Sequence, residues 1–461
     1  MKIYLETMGC QMNRLDSELV AGALREAGHE LVEDRSAAEV VLYNTCSVRR
    51  HAEQKVLSRL GADAQRKNSR RPRLIVGVLG CMAQRMGEQL RRKHPHVDIV
   101  CGPGRLCALA GMIDQAAAGK ASVALDPSRK EPRDAEADAE MERMDLDRRP
   151  DRAGGAQAYV RVMRGCDRFC TYCIVPLVRG PERSRDPAHI VQEARRLVEA
   201  GKTEITLLGQ TVNSYRHQAG ETTVRFSDLL ERVAAVPGLR RLRFVTSHPV
   251  DFTDDILEAM RDLPNVCRYV HCPAQSGSDA VLKRMNRGYA RAQYDDFVGR
   301  ARQTVPGVVL AGDFIVGFPG ESEADHQASA ELIRRSGYKN SFIFKYSPRP
   351  GTPAANRFDD DVPADVKKRR NNDLLAVQEQ VGLAHHRALV GGRMEVLVEG
   401  VSPRAGKQPG KPAPGCTQLV GRTRGDHIVV FDGPESLIGR YVTVAVTDAT
   451  SLTLFAQRQD S

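Results

Sequence analysis

The spacing of apolar and polar positions divides the chain into parts with different structure. In the first 125 residues, short apolar runs alternate with stretches of helical periodicity. Residues 38–43, 73–79 and 97–101 are predicted strands, and residues 15–26 are a predicted helix. This alternation is typical of a doubly wound α/β domain built on a parallel sheet.

A charged segment follows and separates this part from a second α/β region. Residues 126–152 contain many charged side chains and several prolines, which favours a linker with a short helix over 135–144. From 153 to 386, six apolar runs alternate with helical stretches, and this pattern predicts a partial barrel of parallel strands. The predicted strands are 158–163, 204–208, 242–245, 268–270, 308–316 and 341–344. The predicted helices include 187–200, 254–261, 321–336 and 363–388.

The pattern changes again in residues 387–458, where short β runs are separated by turns rich in glycine and proline. The runs 393–399, 418–423, 427–431 and 441–448 predict a small antiparallel β-barrel. Small barrels of this kind often bind RNA through one face and its loops. Five basic residues are the candidate phosphate contacts, although an ordinary solvated loop explains them nearly as well: Arg404, Lys407, Lys411, Arg422 and Arg424.

Composition and net charge indicate which class of partner and which cellular compartment to expect. The chain has 461 residues and a formal net charge of +10, which favours a polyanionic partner such as RNA. It has eleven cysteines but no signal peptide and no apolar run long enough to cross a membrane. We therefore expect a cytoplasmic protein whose cysteines bind metal rather than form disulfides. No long apolar helix face demands a partner, so we expect a monomer.

Three cysteines, Cys166, Cys170 and Cys173, form a CxxxCxxC loop after the first predicted barrel strand. Three thiolates on one loop can ligate three irons of a 4Fe-4S cluster and leave the fourth iron open. A structural zinc site usually has four ligands, so this spacing fits zinc poorly. Buried thiols in a tight turn are the alternative, but Asp167 and Arg168 make the loop a poor place to bury them.

A second set of cysteines, Cys10, Cys46 and Cys81, lies in the first domain. Each follows a predicted strand, and the carboxyl ends of parallel strands meet at one edge of a sheet. We therefore expect these three thiols to converge, although each alone is more often a core cysteine. Five other cysteines share no spacing and are interpreted as ordinary thiols: Cys101, Cys107, Cys267, Cys272 and Cys416.

With these features in place, the chain resembles the methylthiotransferase family of radical S-adenosylmethionine (SAM) enzymes over essentially its whole length. The resemblance rests on the two cysteine sets and on seven motifs, at residues 9–13, 44–49, 80–85, 208–215, 246–249, 313–321 and 346–353. It implies an N-terminal domain with three cysteines, a radical SAM barrel and a C-terminal TRAM domain. Two departures lie near the expected active-site rim: Thr211 stands where the family usually has Asn, and the segment 271–277 contains Cys272.

The resemblance also implies the chemistry. Cys166, Cys170 and Cys173 would hold a 4Fe-4S cluster that binds SAM, while Cys10, Cys46 and Cys81 would hold an auxiliary 4Fe-4S cluster. A radical derived from SAM would allow a methylthio group to replace hydrogen on carbon 2 of an isopentenylated adenosine, N(6)-dimethylallyladenosine, beside the tRNA anticodon. The implied partners are that tRNA and an electron donor such as flavodoxin or ferredoxin. No catalytic side chain is predicted beyond the cluster ligands.

Several other residues are candidates for contacts with SAM or substrate. Gln210 and Asn213 follow the second barrel strand, and Gly317 and Glu321 follow the fifth. Ordinary strand-to-helix turns explain these residues about equally well. Gly320 lies in the same turn as Gly317 and Glu321 and is a candidate on the same ground. Ser247 and His248 follow the third strand and could meet substrate or cofactor, although a lone histidine before a proline is more often structural.

Three other functions stay open at this point. A sister methylthiotransferase acts on threonylcarbamoyl-adenosine in tRNA, and another acts on an aspartate of a ribosomal protein. A noncatalytic iron–sulfur protein that binds RNA and senses redox state is an alternative of another class. The open-iron spacing of both cysteine sets disfavours the last, because a purely structural cluster favours four protein ligands.

Overall fold

The computed structural model describes residues 1–48, 50–69, 71, 73–129, 131–132, 134–148, 155–405 and 415–459. Within these residues the chain forms a parallel α/β sheet, an open barrel of parallel strands, and a closed barrel. The closed barrel departs from the predicted antiparallel arrangement at one strand pair, because Ile428–Gly433 runs parallel to Thr453–Arg458. The predicted fold class is otherwise confirmed. Each layer carries its apolar side chains toward a helix or a facing strand, as the sequence pattern indicates.

The N-terminal part is a sheet of parallel strands in the order β2-β1-β3-β4-β5-β6, as far as the described residues extend. Its elements are β1 Lys2–Met8, α1 Gln11–Glu26, β2 Glu30–Leu31, β3 Val40–Thr45, α2 Arg50–Ser69, β4 Ile75–Gly80, α3 Cys81–Met86, α4 Glu88–Lys93, β5 Ile99–Cys101, α5 Leu109–Ala117 and β6 Ser122–Ala124. Alternate residues of β3 pack on opposite faces of the sheet: Val41 and Tyr43 join one core, and Val40 and Leu42 join another. Both faces are therefore covered, as in a doubly wound domain.

The predicted linker contains one helix, α6 Ala135–Asp147. The helix begins after Asp134, whose side chain accepts a hydrogen bond from the backbone N–H of Ala137. It runs three residues beyond the predicted end at residue 144 and includes Asp145, which is fully buried. The linker is thus anchored to the domains on both sides of it.

The central part is an open barrel. Its described elements are β7 Gln157–Arg161, β8 Met163–Arg164, α7 Val175–Val178, β9 Arg183–Ser184, α8 Pro187–Glu199, β10 Glu204–Leu208, β11 Arg216–Ala219, β12 Thr222–Arg225, α9 Phe226–Ala234, β13 Arg241–Phe244, α10 Asp254–Asp262, β14 Tyr269–His271, α11 Asp279–Arg284, α12 Arg291–Thr304, β15 Val309–Val316, α13 Glu323–Ser336, β16 Asn340–Lys345, α14 Pro353–Arg357 and α15 Ala364–Arg387. Strands β7, β10 and β13 form one parallel sheet, and β14, β15 and β16 form another. A parallel bridge between Leu242 and Val266 lies between the two sheets. The six predicted strands therefore lie side by side in chain order.

The C-terminal part is a closed barrel in the order β17-β18-β19-β21-β20. Its strands are β17 Arg393–Val401, β18 Thr417–Arg422, β19 Ile428–Gly433, β20 Tyr441–Ala449 and β21 Thr453–Arg458. Four of these strands match the predicted runs. The fifth, β21, was not predicted because its short apolar stretch is followed at once by polar residues.

The small barrel docks on the amino ends of the open-barrel strands. Arg241 of β13 donates hydrogen bonds to the carbonyl oxygens of Arg422 at 2.8 Å and Glu395 at 2.9 Å. Lys339 pairs with Asp426 at 2.9 Å. The carboxyl ends of the open-barrel strands, where such folds carry their chemistry, are left away from this contact.

This docking corrects two of the predicted phosphate contacts. Arg422 pairs with Glu399 at 3.4 Å and with Asp426 at 2.9 Å. Arg424 donates hydrogen bonds to the carbonyl oxygens of Pro264 and Val266 on the open barrel. The prediction of phosphate contacts is wrong for Arg422 and Arg424, because their guanidinium groups are committed to protein partners. Arg404 is exposed, so its contact stays a prediction, and Lys407 and Lys411 lie outside the described residues.

The cysteines and the helices bear on two expectations drawn from composition, the absence of disulfides and the absence of a membrane span. All eleven cysteines are free thiols. Across the described ranges, no helix combines the length and the apolar character needed to cross a membrane.

Candidate functional site

The CxxxCxxC loop lies between β8 and α7, at the carboxyl end of the first barrel strand. It begins at Gly165, whose φ of 72° lies in the left-handed region and where a side chain would collide with the carbonyl of Pro181. Within the loop, the backbone N–H of Cys173 donates to the carbonyl of Cys170 at 2.9 Å. Burial is the main cause that raises the pKa of Cys173, and Cys170 and Cys166 raise it further, which indicates that the three thiols lie near one another.

Two arginines that the sequence analysis did not identify hold this loop in place. Arg129 comes from the predicted linker and donates to the carbonyl oxygens of Cys166 at 2.8 Å and Gly180 at 3.2 Å. Its guanidinium also lies 4.6 Å from the ring centre of Phe169. No local pattern could have found Arg129, because it lies 37 residues before its partner Cys166.

The second arginine, Arg287, contacts a cysteine sulfur directly. Its Nη1 donates to Cys170 Sγ at 3.3 Å, and its Nη2 donates to the carbonyl of Pro273 at 3.1 Å. A buried cation that donates to a thiolate stabilises its negative charge and orients it. Burial raises the pKa of Cys173 to about 12, so this sulfur becomes a ligand only when iron displaces its proton.

The second cysteine set lies at the carboxyl ends of three adjacent parallel strands. Cys10 follows β1, Cys46 follows β3 directly, and Cys81 begins α3 after β4. Cys10 Sγ donates to Asn13 Oδ1 at 3.2 Å, and Cys46 Sγ accepts from the backbone N–H of Val48 at 3.2 Å. The neighbouring Cys46 thiol is the main reason that the pKa of Cys10 is lowered to about 6. The fold therefore brings these three residues to one edge of the sheet, as expected from their positions after strands.

A buried amide pair fixes the first two of these loops to each other. Asn13 Nδ2 donates to Asn44 Oδ1 at 3.0 Å, and Asn44 Nδ2 donates back to the carbonyl of Asn13 at 2.9 Å. Asn44 Nδ2 also donates to Ser17 Oγ at 2.9 Å. Buried polar groups that satisfy one another in this way specify a single geometry, here of the Cys10 and Cys46 loops.

The two cysteine sets lie next to each other across the contact between the N-terminal domain and the barrel. Cys81 packs against Ile174 and Val178, which directly follow the CxxxCxxC loop. Arg179 extends from the end of α7 and pairs with Asp16 of α1 at 2.8 Å. Burial alone would lower the pKa of Arg179, but Cys81, Asp16 and Cys10 raise it well above its ordinary value. A buried cation from the barrel thus faces the N-terminal thiols.

The donor set at each edge fits an iron–sulfur cluster. Among the described residues, no three cysteine, histidine or carboxylate side chains converge closely enough to hold a single metal ion. A 4Fe-4S cluster makes a different demand, because each iron takes its own thiolate and the three sulfurs do not share one metal. Three free thiols at each edge, with a buried arginine facing them, match that demand in chemistry and in charge.

Next to the CxxxCxxC loop, three candidate residues carry buried polar atoms without partners. Gln210 Oε1, Ser247 Oγ and both ring nitrogens of His248 are buried, and within the described ranges none has a hydrogen-bond partner, although His248 Nδ1 lies 4.0 Å from Asp251 Oδ2. Burial, reinforced by the charges of Arg287 and Arg168, lowers the pKa of His248 to about 2, so the imidazole is neutral. Unpaired buried polar atoms are costly, and a cluster of them at the strand ends fits a polar ligand such as SAM.

The other cofactor candidates are engaged in turns. Asn213 clamps the backbone of His248, accepting from its N–H and donating to its carbonyl, both at 2.8 Å. Glu321 accepts from the N–H of Gly317 at 2.6 Å and from Arg370 at 2.8 Å. These contacts favour the interpretation that Asn213, Gly317 and Glu321 belong to ordinary turns. In these turns they position the backbone beside the site. Gly320 also lies in this turn, where its N–H donates to Asp361 at 2.8 Å.

The two departures from the family pattern are both buried but have different neighbours. Thr211 Oγ1 is 3.8 Å from Cys166 Sγ, so this substitution touches the cluster loop itself. Cys272 is buried, and its carbonyl accepts a hydrogen bond from the hydroxyl of Tyr294 at 2.6 Å. Burial raises the pKa of the Cys272 thiol far above its ordinary value, which makes it an inert core thiol rather than a reactive one.

Comparison with known proteins assigns a family model to each part of the chain. Residues 2–102 match the uncharacterized protein family UPF0004, residues 160–333 match the radical SAM superfamily, and residues 387–458 match the TRAM domain. The first of these matches contains Cys10, Cys46 and Cys81. The second contains the CxxxCxxC loop.

Two curated relatives match the chain over nearly its full length. A protein of Rhodopirellula baltica is 47% identical over 457 residues, covering 99% of this chain and 95% of the relative. A protein of Bacteroides thetaiotaomicron is 44% identical over 458 residues, covering 98% and 95%. Both relatives are named tRNA-2-methylthio-N(6)-dimethylallyladenosine synthase.

Among solved structures, the chain is similar in fold to the radical SAM methyltransferase TsrM from Kitasatospora setae, determined with cobalamin and a 4Fe-4S cluster bound. The TM-score is 0.54 at 15% sequence identity, with 77% of each chain covered. A second TsrM structure, with tryptophan and a SAM analogue, gives a TM-score of 0.53 at 14% identity and covers 89% of this chain and 79% of that one. At this identity the likeness concerns the fold.

Proposed function

This chain belongs to the family of tRNA-2-methylthio-N(6)-dimethylallyladenosine synthases, and we propose that it attaches a methylthio group to carbon 2 of N(6)-dimethylallyladenosine beside the anticodon of tRNA. It is a radical SAM enzyme whose cofactors are SAM and two 4Fe-4S clusters. The observation that carries the proposal is the adjacency of two three-cysteine sets, joined by the packing of Cys81 on Ile174 and Val178. One set would hold the cluster for SAM, and the other would hold the cluster for the sulfur that is transferred.

The cysteines divide these tasks between them. Cys166, Cys170 and Cys173 would hold the cluster that reduces SAM by one electron, which is the source of the radical chemistry. The second set would hold the auxiliary cluster at the edge of the N-terminal sheet: Cys10, Cys46 and Cys81.

The arginines of the site control position and charge. Arg129 ties the CxxxCxxC backbone to the linker, and Arg287 donates to Cys170 Sγ at 3.3 Å. Arg179 places positive charge beside the thiolates of the N-terminal set, which favours their deprotonated state. Because Arg179 directly follows α7, its contact with Asp16 also fixes the distance between the two cysteine sets.

The polar atoms around the CxxxCxxC loop would bind and orient SAM. Gln210, Ser247 and His248 present buried atoms without partners, and such atoms gain most from a ligand that pairs with them. The neutral His248 can donate or accept a hydrogen bond without adding charge. Asn213 would act one step away by holding the His248 backbone, and Glu321 would do the same for the turn at Gly317.

The finer features of the protein belong to the same proposal. The domain limits would be 1–125, 126–152, 153–386 and 387–458, and each of the three family-model matches, at 2–102, 160–333 and 387–458, falls within one of the proposed domains. The electron would come from a flavodoxin or a ferredoxin, and the enzyme would act as a monomer. A reducing cytoplasm would suit its eleven free thiols.

The test is anaerobic reconstitution with iron and sulfide, followed by reaction with SAM, reductant and tRNA that carries N(6)-dimethylallyladenosine. Nucleosides from the digested tRNA are then identified by mass spectrometry. We expect the 2-methylthio product, and we expect its loss when Cys81→Ala removes a ligand of the auxiliary cluster while SAM cleavage persists. Cys107→Ala is the matched control, because Cys107 is a partly exposed thiol of the same domain outside both sets.

The outcome separates this reaction from the alternatives. Cleavage of SAM without change in this tRNA, but with modification of a threonylcarbamoyl-adenosine tRNA or of a ribosomal protein, would move the assignment to a sister reaction. A protein that binds clusters but never cleaves SAM would be a noncatalytic iron–sulfur protein. Loss of product in Cys107→Ala as well would show that the cysteine variants report on folding rather than on cluster ligation.

A further inference from the structure

The last strand of the open barrel carries a pair of exposed aromatic side chains. In strand order, β16 lies at the outer edge of the sheet β14-β15-β16. Phe342 and Phe344 on this strand are 52% and 42% exposed, and their rings are near-parallel, with 16° between the planes and 6.5 Å between the centres. Large aromatic rings are normally buried, so two adjacent exposed rings mark a surface that another molecule covers.

The pair faces the inside of the open barrel rather than its outer helices. Side chains alternate between the two faces of a strand. Ile343 lies between the two phenylalanines and packs into the core on the helix side, as Phe314 does on the neighbouring strand. Phe342 is aligned with Asp313, which therefore shares its inner face. Phe344 is aligned with Ile315, which packs against the same apolar cluster as Tyr172 of the cysteine loop, so the rings lie on the face of the barrel that this loop borders.

Polar groups lie directly beside these rings. His271 Nε2 is 3.1 Å from Asp313 Oδ1, and the His271 ring centre is 6.4 Å from that of Phe342. Both polar side chains remain partly exposed, at 14% and 21%. An apolar planar face with hydrogen-bonding groups along its side is what a base in RNA requires.

We propose that Phe342 and Phe344 form a stacking platform for the target adenine, with the His271–Asp313 pair along its edge. This inference rests on the proposed function, which requires that carbon 2 of an adenine reach the barrel. Enzymes that modify a base take it out of its stack, and the lost stacking must be replaced by the protein. The net charge of +10 favours the approach of the RNA backbone to this opening.

The experiment measures RNA binding and base stacking directly, on the full chain loaded with clusters. Anticodon stem-loop RNAs with and without the isopentenyl group are titrated by fluorescence anisotropy. A third RNA carries 2-aminopurine in place of the target adenine, and stacking quenches its fluorescence. The variants are Phe342→Ala, Phe344→Ala, Phe342→Leu and Phe342→Trp. Leu375→Ala on the outer side of α15 is the matched control, because it removes an equally exposed apolar side chain elsewhere.

We expect each alanine variant to weaken binding of both stem-loops by about 5- to 150-fold, the value of one base–aromatic stack. Quenching of 2-aminopurine should fall in parallel. Phe342→Trp should keep both signals, Phe342→Leu should lose them, and Leu375→Ala should match the wild type. Unchanged far-UV circular dichroism and iron content in each variant would exclude misfolding as the cause.

Three results would overturn the platform. Wild-type affinity and quenching in both alanine variants would show that the rings do not hold a base, whether or not methylthiolation persists. Full retention in Phe342→Leu would show an apolar contact without stacking. Loss confined to the isopentenylated RNA would show that the rings hold the isopentenyl group instead. If stacking is confirmed but no 2-methylthio product forms under any condition, the platform stands and the proposed reaction fails.

Discussion

The conversion of Asp145 to Asn is the sharpest test of how the linker is held to the domains beside it. Asp145 is fully buried in α6 and accepts hydrogen bonds from Arg161 and Arg164, each at 2.6 Å. Asp145→Asn keeps the size of the side chain but removes its charge, and leaves both cations in place. Removing one member of a buried ion pair costs about 3–5 kcal/mol, because the partner charge stays buried without compensation.

The structure indicates that the cost of Asp145→Asn lies at the lower end of the range of about 3–5 kcal/mol. Arg161 keeps a second carboxylate, Asp16, at 2.7 Å, so it remains paired in the variant. Arg164 keeps the carbonyl of Met141, at 3.0 Å, as its one remaining hydrogen-bond partner in the part of the chain that the structure describes. We therefore expect a loss of about 3 kcal/mol, equivalent to about 150-fold in the equilibrium for local opening of α6.

Native-state hydrogen exchange of the α6 amides measures this opening without unfolding the whole multidomain chain. The matched control is Asp147→Asn in the same helix. Asp147 is 69% exposed and lies 3.4 Å from Arg196, so its loss should cost less than about 1 kcal/mol. If the two variants exchange alike, or if Asp145→Asn stays within about threefold of the wild type, the buried network does not hold the linker.

Acid provides an independent check of the same network. Burial alone would raise the pKa of Asp145, but Arg161, Arg185 and Arg164 hold it below its ordinary value. A carboxylate with a lowered pKa contributes stability above its unfolded pKa of about 3.9, and this contribution is lost as the pH falls further. Protection of α6 in the wild type should therefore fall more steeply below about pH 4 than protection in Asp145→Asn.

Three other predictions follow from single contacts. Gly317→Ala should destabilise the chain by about 1–3 kcal/mol in thermal unfolding. Its φ is 68°, and a side chain there would collide with Lys367. Gly119, with φ of 79°, faces open space, so Gly119→Ala should show only the cost of the backbone strain. Arg287→Met should shift the midpoint potential of the CxxxCxxC cluster to a more negative value in an EPR-monitored titration, and Arg287→Lys should restore part of it; equal potentials in all three proteins would contradict a role in tuning. Asp426→Asn should increase hydrogen exchange in the C-terminal barrel, because it breaks the pair with Lys339. The pKa of Asp426 is lowered to about 2, so protection from exchange in the wild type should weaken between about pH 4 and pH 2. Protection in the variant should not change over this range.

The sequence by itself determined the order of elements and which cysteines are the candidate cluster ligands. The apolar periodicity placed β10 at its observed limits of Glu204–Leu208, and it placed α8 within one residue of the observed helix. This success has a physical reason: a parallel strand covered on both faces must be continuously apolar, and a helix must repeat its apolar face every turn. The position of each N-terminal cysteine after such a strand was enough to expect that the three thiols would meet.

The tertiary structure decided which polar side chains are available and which are used. Arg422 and Arg424 were expected to meet phosphate, but the docking of the C-terminal barrel commits them to protein partners. Arg129, Arg179 and Arg287 have no local sequence signature, because each acts on a residue that only folding brings near.

The same limit applies to the inner face of the barrel. The sequence marks Phe342 and Phe344 as alternate residues of a strand, a pattern equally compatible with a buried face. Only the position of β16 at the open edge leaves their rings exposed beside His271 and Asp313. Apolar periodicity depends on residues that are neighbours along the chain. Whether a side chain is exposed or paired depends on which distant elements cover its face, and the packing of the domains decides this.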